Sequence, residues 1–231
     1  MHKGKNIQMN KKIALIISFV LLALFGFVAV SVQLNFSWID RLDTFGNQLF
    51  RLNISEQASI VLERVSNITS NVRVFVAAFI VGIILLWRKR WLILTWFVIS
   101  IGLIGGFVPQ GLKILFGRPR PTDGLFTRAG NSFPSGSTMG ALAVYGLLII
   151  FAIVYLKKGW KKALVITIAT GITLFIGWSR IHLGFHYLSD VLASLLLGIG
   201  LLIIAWLVLK RVVNYEKNKT ELDILYFKQM D

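Results

Sequence analysis

The chain has 231 residues, 56% of them hydrophobic and only 15% charged, and its mean hydropathy is +0.73. That composition excludes both an ordinary soluble domain and a disordered chain, because neither leaves so much apolar surface in water. A net charge of +15 would suggest nucleic acid if the cations formed one face, but here they sit in short segments between apolar runs, as in an integral membrane protein. No nucleic-acid partner is therefore expected. With no cysteine, disulfides, thiol nucleophiles and Cys-ligated metals are excluded. His2, His182 and His186 are the only histidines.

The first apolar run, 13–32, follows Lys3, Lys5, Lys11 and Lys12. It is longer than the apolar core of a cleaved signal peptide, so it reads as a retained span. The segment 33–71 is mixed in charge, and Ile60, Leu62, Val65 and Ile68 recur at helical spacing. Short amphipathic helices on the membrane surface fit this pattern, and an ordinary structured loop fits it equally. Further spans are expected at 72–87, 91–108, 138–156, 163–178 and 191–209, separated by Arg88-Lys89-Arg90, a basic segment at 113–137, the lysines of 157–162 and a polar stretch at 179–190. Lys210-Arg211 opens a charged tail, and no internal repeat is evident. The expectation is one all-α domain over 1–231, a bundle of six transmembrane helices.

Lysine and arginine bias sets the orientation. The N-terminal, 88–90, 157–162 and 210–219 clusters fall on one side of a six-span layout, so both termini are expected in the cytoplasm. The segments 33–73, 109–137 and 179–190 then share the outer face. Only the middle one is strongly basic, against the topological trend, and its cations therefore need another task.

Three outer segments carry chemistry. In Ser179 to Asp190, His186 and Asp190 are four apart; on a helix they share a face, and the carboxylate can fix the imidazole tautomer, leaving the other nitrogen as nucleophile or base. Arg180 offers a planar fork for phosphate oxygens. A His-Asp pair that merely staples a helix end is the plainer alternative, and His182 reads as packing. In Lys113 to Pro121, Lys113 and Arg120 are seven apart, two helical turns, while Pro119 and Pro121 stop the helix and aim Arg120. These cations suit a dianion, or a non-specific grip on lipid headgroups. In Phe133-Pro134-Ser135-Gly136-Ser137 the helix that follows presents free amides at Gly136 and a hydroxyl at Ser135, an anion site or a simple N-cap. Together the three supply cations, amides and a His-Asp pair, which fits phosphoryl transfer through a phospho-histidine better than a metal site.

These residues resemble the signature of the type 2 phosphatidic acid phosphatases (PAP2), lipid phosphatases that share a core with vanadium haloperoxidases. Lys113, Arg120 and Pro121 meet the first motif, and Ser179, Arg180, His186 and Asp190 meet the third, in order and spacing. The second motif, Pro-Ser-Gly-His, is met by Pro134, Ser135 and Gly136, but position 137 is serine. In the family that histidine is the general acid for the leaving alkoxide, and a serine hydroxyl is too weak an acid to replace it. Ser137 is thus either a natural divergence or a disabling substitution, and the intact remainder of the signature favours the second.

The resemblance implies a haloperoxidase-like helical core and a lipid phosphate or pyrophosphate phosphatase without metal or cofactor, working at the outer face of a bacterial cytoplasmic membrane. His186 would attack phosphorus, aimed by Asp190, while Lys113, Arg120, Ser135, Gly136 and Arg180 hold the phosphoryl oxygens; position 137 would hold the acid. Phosphatidylglycerophosphate, undecaprenyl pyrophosphate, phosphatidic acid and diacylglycerol pyrophosphate are the implied substrates. A phosphotransferase and a non-catalytic lipid-phosphate binder or transporter remain as alternatives. The bilayer is the implied environment, and oligomeric state is left open.

Overall fold

A computed structural model describes residues 10–51, 55–70, 72–122, 124, 126 and 128–228, and among these every regular element is helical. Helix α1, Lys11–Gln33, starts where the Asn10 side chain accepts the Lys12 amide at 3.0 Å. Two amphipathic helices follow, α2 (Ser37–Arg51) and α3 (Glu56–Ser70). Then come α4 (Val72–Trp87), α5 (Trp91–Phe116), α6 (Gly136–Tyr155), α7 (Gly159–His182) and α8 (Leu188–Lys228).

Five helices are long and apolar enough to cross a membrane: α1, α5, α6, α7 and the Leu188–Lys219 part of α8. Helix α4, at 16 residues, is apolar but shorter than the ~20 residues of a full span. The segment expected to be either surface helices or a loop is helical. Ile39, Asp43 and Gly46 of α2 are buried at a helical repeat, while Phe45 and Leu49 remain exposed.

Several span ends differ from the sequence expectation. The run expected to stop at 108 continues to Phe116, because a π-helical turn at Gly102–Phe107 widens the helix just before Pro109. The wider turn absorbs both the ring and the missing amide. A second π turn, Leu142–Gly146, lies within α6. Helix α7 runs four residues past 178, to His182, and the charged tail after Lys210 continues α8 without a break. Lysine, arginine and glutamate are good helix formers, and Arg90 anchors that extension to Glu216 at 2.9 Å.

The main core joins Trp96, Phe97 and Ile104 of α5 to Met139, Ala143, Leu147 and Ile150 of α6 and Leu197, Ala205 and Leu209 of α8. Buried polar bonds tie the bundle to α8: Ser18 Oγ donates to the Gly200 carbonyl at 2.9 Å and Trp96 Nε1 to the Ala205 carbonyl at 3.0 Å. In so apolar a setting each of these polar groups needs its partner. Lys157, Lys162, Lys210 and Lys217 gather around one cleft of about 1250 Å³. Helix α7 leads from that basic end to Arg180 and His182 at the other, where a smaller core of Ala29, Val32, Ile39, Phe133 and Ala193 underlies the motif residues.

Candidate active site

Lys113 lies in the last turn of α5, and the chain leaves that helix at Gly117. Its ammonium donates to the Asn131 carbonyl, and Asn131 Nδ2 returns a bond to the Lys113 carbonyl at 2.7 Å. Lys113 Cε also lies 3.4 Å from where a Cβ on Gly136 would sit. The first motif is thus pressed against the second. Arg120 reaches over the turn after α7: Nε donates to the Gly130 carbonyl at 3.1 Å, and Nη1 to the Phe185 carbonyl at 2.7 Å.

The second motif follows a cis Phe133–Pro134 bond. Ser135 is fully buried and extended, the residue before the first turn of α6. Its Oγ accepts from Thr138 Oγ at 3.0 Å, which leaves its own proton to donate. The Ser135 carbonyl accepts from Ser194 Oγ at 3.2 Å, and its amide faces the Asp190 carbonyl at 3.4 Å. Gly136 and Ser137 therefore open a helix whose first amides are docked beside α8.

In the third motif Arg180 is completely buried in the last turn of α7, and its carbonyl accepts the amides of Phe185 at 3.0 Å and His186 at 3.2 Å. Gly184 makes the turn at φ +71°, and a Cβ there would meet Gly124 Cα at 2.6 Å. Only glycine fits that conformation and that approach. His186 is not on a helix, as its spacing from Asp190 suggested. It stands in the turn, and Asp190 reaches back from the first turn of α8, accepting the Tyr187 amide at 3.0 Å. The pair forms nonetheless, with His186 Nδ1 3.4 Å from Asp190 Oδ2.

The other ring nitrogen of His186, Nε2, lies 3.2 Å from Arg120 Nη1. A guanidinium can only donate, so Nε2 is the acceptor and Nδ1 carries the proton toward Asp190. Burial lowers the His186 pKa to about 4, against the upward pull of Asp190 and with the help of the Arg120 and Lys113 charges. At that value the ring is uncharged at neutral pH, with its Nε2 lone pair turned to Arg120. Burial, reinforced by Arg128, also lowers Arg120 from its usual value.

His182 has a different setting. Its Nδ1 is 2.6 Å from the Phe50 carbonyl, its Nε2 is 3.3 Å from Ser59 Oγ, and its ring stacks on Trp178 at 5.3 Å. It fastens α2 and α3 to α7, in keeping with a packing role.

Sequence reasoning missed two residues. Arg118 bridges Asp190 Oδ1 and Asp43 Oδ2, both at 2.7 Å, and lies over the Tyr187 ring at 4.1 Å. Asp43 comes from α2, far away in the chain. No local spacing links them; the one available signal was an acid on the buried face of an amphipathic helix.

Fold and site together define a helical membrane protein built around a buried histidine–aspartate pair faced by cations. The chain belongs to the PAP2 superfamily, whose sequence pattern matches residues 91–213, more than half its length. It is similar to phosphatidylglycerophosphatase B of Bacillus subtilis strain 168, with 41% identity over 69 residues, 29% of this chain and 34% of that protein. The matched stretch is thus about a third of that relative's length. Its fold matches the crystal structure of a transmembrane PAP2-type phosphatidylglycerolphosphate phosphatase from Bacillus subtilis, with a TM-score of 0.70, 87% of this chain and 96% of the other covered, and 23% identity.

Proposed function

We propose that the protein acts on a lipid phosphate by phosphoryl transfer to His186. The observation that carries this reading is the placement of that ring: buried, with Nδ1 3.4 Å from Asp190 Oδ2 and Nε2 3.2 Å from Arg120 Nη1. A phosphoryl group entering beside Arg120 would meet Nε2 in line while its oxygens drew on Lys113, Arg120, Arg180, the Ser135 hydroxyl and the amides that open α6. Such preset donors stabilise charge as it develops, and that stabilisation supplies most of the rate enhancement in phosphoryl transfer. The P–O bond to the lipid breaks as the P–N bond forms, and water then releases phosphate and restores the histidine. No step requires a metal or cofactor.

The substrate class is a lipid monophosphate or pyrophosphate. Phosphatidylglycerophosphate is favoured within it by the similarity to phosphatidylglycerophosphatase B. The basic end, where Lys157, Lys162, Lys210 and Lys217 meet, would face the cytoplasm and the motif end the outer surface, both termini being inside. Exposed Phe45 and Leu49 of α2 would then rest in the outer interface. Ser137 favours a second reading, a lipid-phosphate binder without turnover, since no imidazole stands at that position to protonate an alkoxide. Phosphate release from phosphatidylglycerophosphate by the Ser137→His protein, and its loss on adding His186→Ala, tests the proposal. Retained release in the His186→Ala variant would mean that water attacks phosphorus directly.

A further inference from the structure

Asp190 has two carboxylate oxygens, and only one of them faces the histidine. Oδ2 serves the His186 ring and the Tyr187 amide. Oδ1 is taken by Arg118 Nη1 at 2.7 Å, and the same Nη1 lies 2.8 Å from Ser189 Oγ. Arg118 Nη2 holds Asp43 Oδ2 at 2.7 Å. Asp43 then closes the ring, its Oδ1 accepting the Ser189 amide at 2.8 Å and its Oδ2 accepting Ser189 Oγ–H at 2.9 Å. Both acids are buried, and the guanidinium between them is nearly so.

We propose that Arg118 and Asp43 are positioning residues for His186: by holding Oδ1 of Asp190 they present Oδ2 to the imidazole and keep its proton on Nδ1. This rests on the nucleophile reading of His186. An aspartate bound at one oxygen alone can turn about its χ2 bond, a soft torsion. The fork of Arg118, itself fixed by Asp43 and by the Tyr187 ring, removes that freedom. It also supplies the one cation shared by two buried carboxylates. Without it one acid would take up a proton, since two uncompensated buried charges are costly. With Asp190 free to turn, Oδ2 would no longer hold the proton on Nδ1. The proton of His186 would then move to Nε2, the atom that has to attack.

The approach of α2 is built for this contact. Gly46 is one turn beyond Asp43, and a Cβ on it would lie 2.5 Å from Leu188 Cβ, the first residue of α8. A side chain there would lift α2 and draw Asp43 away from Ser189. The surface-facing helix and the reactive ring are thereby joined through three side chains.

The test uses the full chain, as it stands with Ser137, labelled with ¹⁵N-histidine in detergent micelles. Three histidines give three resolvable imidazoles, whose two nitrogens report protonation separately. In the unsubstituted protein His186 should carry its proton on Nδ1 alone. In Arg118→Gln, and in the isosteric Asp43→Asn, its two nitrogen signals should move toward each other or exchange, as the Nε2–H form becomes populated. His182 is the internal control, because it is bonded to the Phe50 carbonyl of α2 and to Ser59 of α3. Its signals should stay in place while α2 remains docked. His186 unchanged in both variants would overturn the proposal. Movement of both histidines in both variants would also overturn it, reducing the pair to a fastening for α2. In the Ser137→His background the same variants should lower kcat ~10- to 100-fold with KM nearly constant, a loss confined to the transition state. If the tautomer responds while the Ser137→His protein releases no phosphate, it is the phosphatase reading that fails and the positioning that stands.

Discussion

Ser137→His tests directly the proposal that position 137 is the place of a general acid. Position 137 is half-buried in the first turn of α6, next to Gly136, whose Cβ position is 3.4 Å from Lys113 Cε. An imidazolium there would sit in the first turn of a helix, one residue from the glycine that Lys113 packs against, and both the helix end and the lysine disfavour its charge. Its pKa should therefore lie below the ordinary ~6.5. A histidine titrating below that value is mostly neutral at pH 7, and its protonated fraction rises by up to about tenfold for each pH unit lowered. General acid catalysis is worth ~10²–10⁴-fold, so the variant should outpace the Ser137 protein by about 10²-fold on a lipid monophosphate at pH 7. The ratio should grow about tenfold more toward pH 5.5, since His186 with its pKa of about 4 stays uncharged over that interval. A lipid pyrophosphate, whose leaving group is a weaker base, should gain roughly tenfold or less. The assay is release of inorganic phosphate from both lipids in mixed micelles, for both proteins, at pH 5.5 and 7. Equal, high activity in the two proteins would refute the assignment of an acid to position 137. Binding without release in both would favour the non-catalytic reading.

Asp190→Asn should lower kcat ~10³–10⁴-fold in the Ser137→His background with lipid binding kept, because Arg118, the Tyr187 amide and His186 all donate to Asp190 and the new amide must set its own N–H against one of them; an unaltered kcat would show that the carboxylate is dispensable. Gly184→Ala should destabilise the fold by ~1–3 kcal/mol or more, measured as a lowered unfolding temperature in micelles, since φ is +71° and Gly124 Cα leaves no room; an unchanged midpoint would contradict the packing of the turn that carries His186. Accessibility tags at either terminus, beside Lys89 or beside Lys161 should report the cytoplasm, and one beside Gly124 the exterior. An external signal at Lys161 would overturn the orientation.

The parts of this molecule that the sequence disclosed are those whose physics is local. Apolar runs of span length announce helices because a bilayer leaves no other option for the backbone, and ionisable residues stand out where that rule makes them expensive. Lys113, Arg120, Arg180, His186 and Asp190 were visible for that reason, and their fixed spacing allowed the three segments to be read together. Helix ends were less legible. Pro109 looked like a terminator, and a π turn just before it carried the helix on to Phe116.

The individual side-chain contacts that hold those segments together were not legible, and they decide how the site is held. The four-residue spacing of His186 and Asp190 suggested a shared helical face; the contact instead depends on the left-handed turn at Gly184 and on the Arg180 carbonyl gripping two successive amides. Arg118 lies within the first motif's span yet faces away from Arg120's task, toward an acid 75 residues earlier. One guanidinium therefore reaches the nitrogen lone pair of the histidine while its neighbour, two residues away, steadies the carboxylate on the histidine's other side. Pro119 and Pro121 each fix their own φ and keep Arg118 and Arg120 from continuing the helix, and the two side chains take separate partners. A basic stretch that composition alone would present as simple positive charge is, in this fold, one cation at the imidazole and another at the carboxylate beside it.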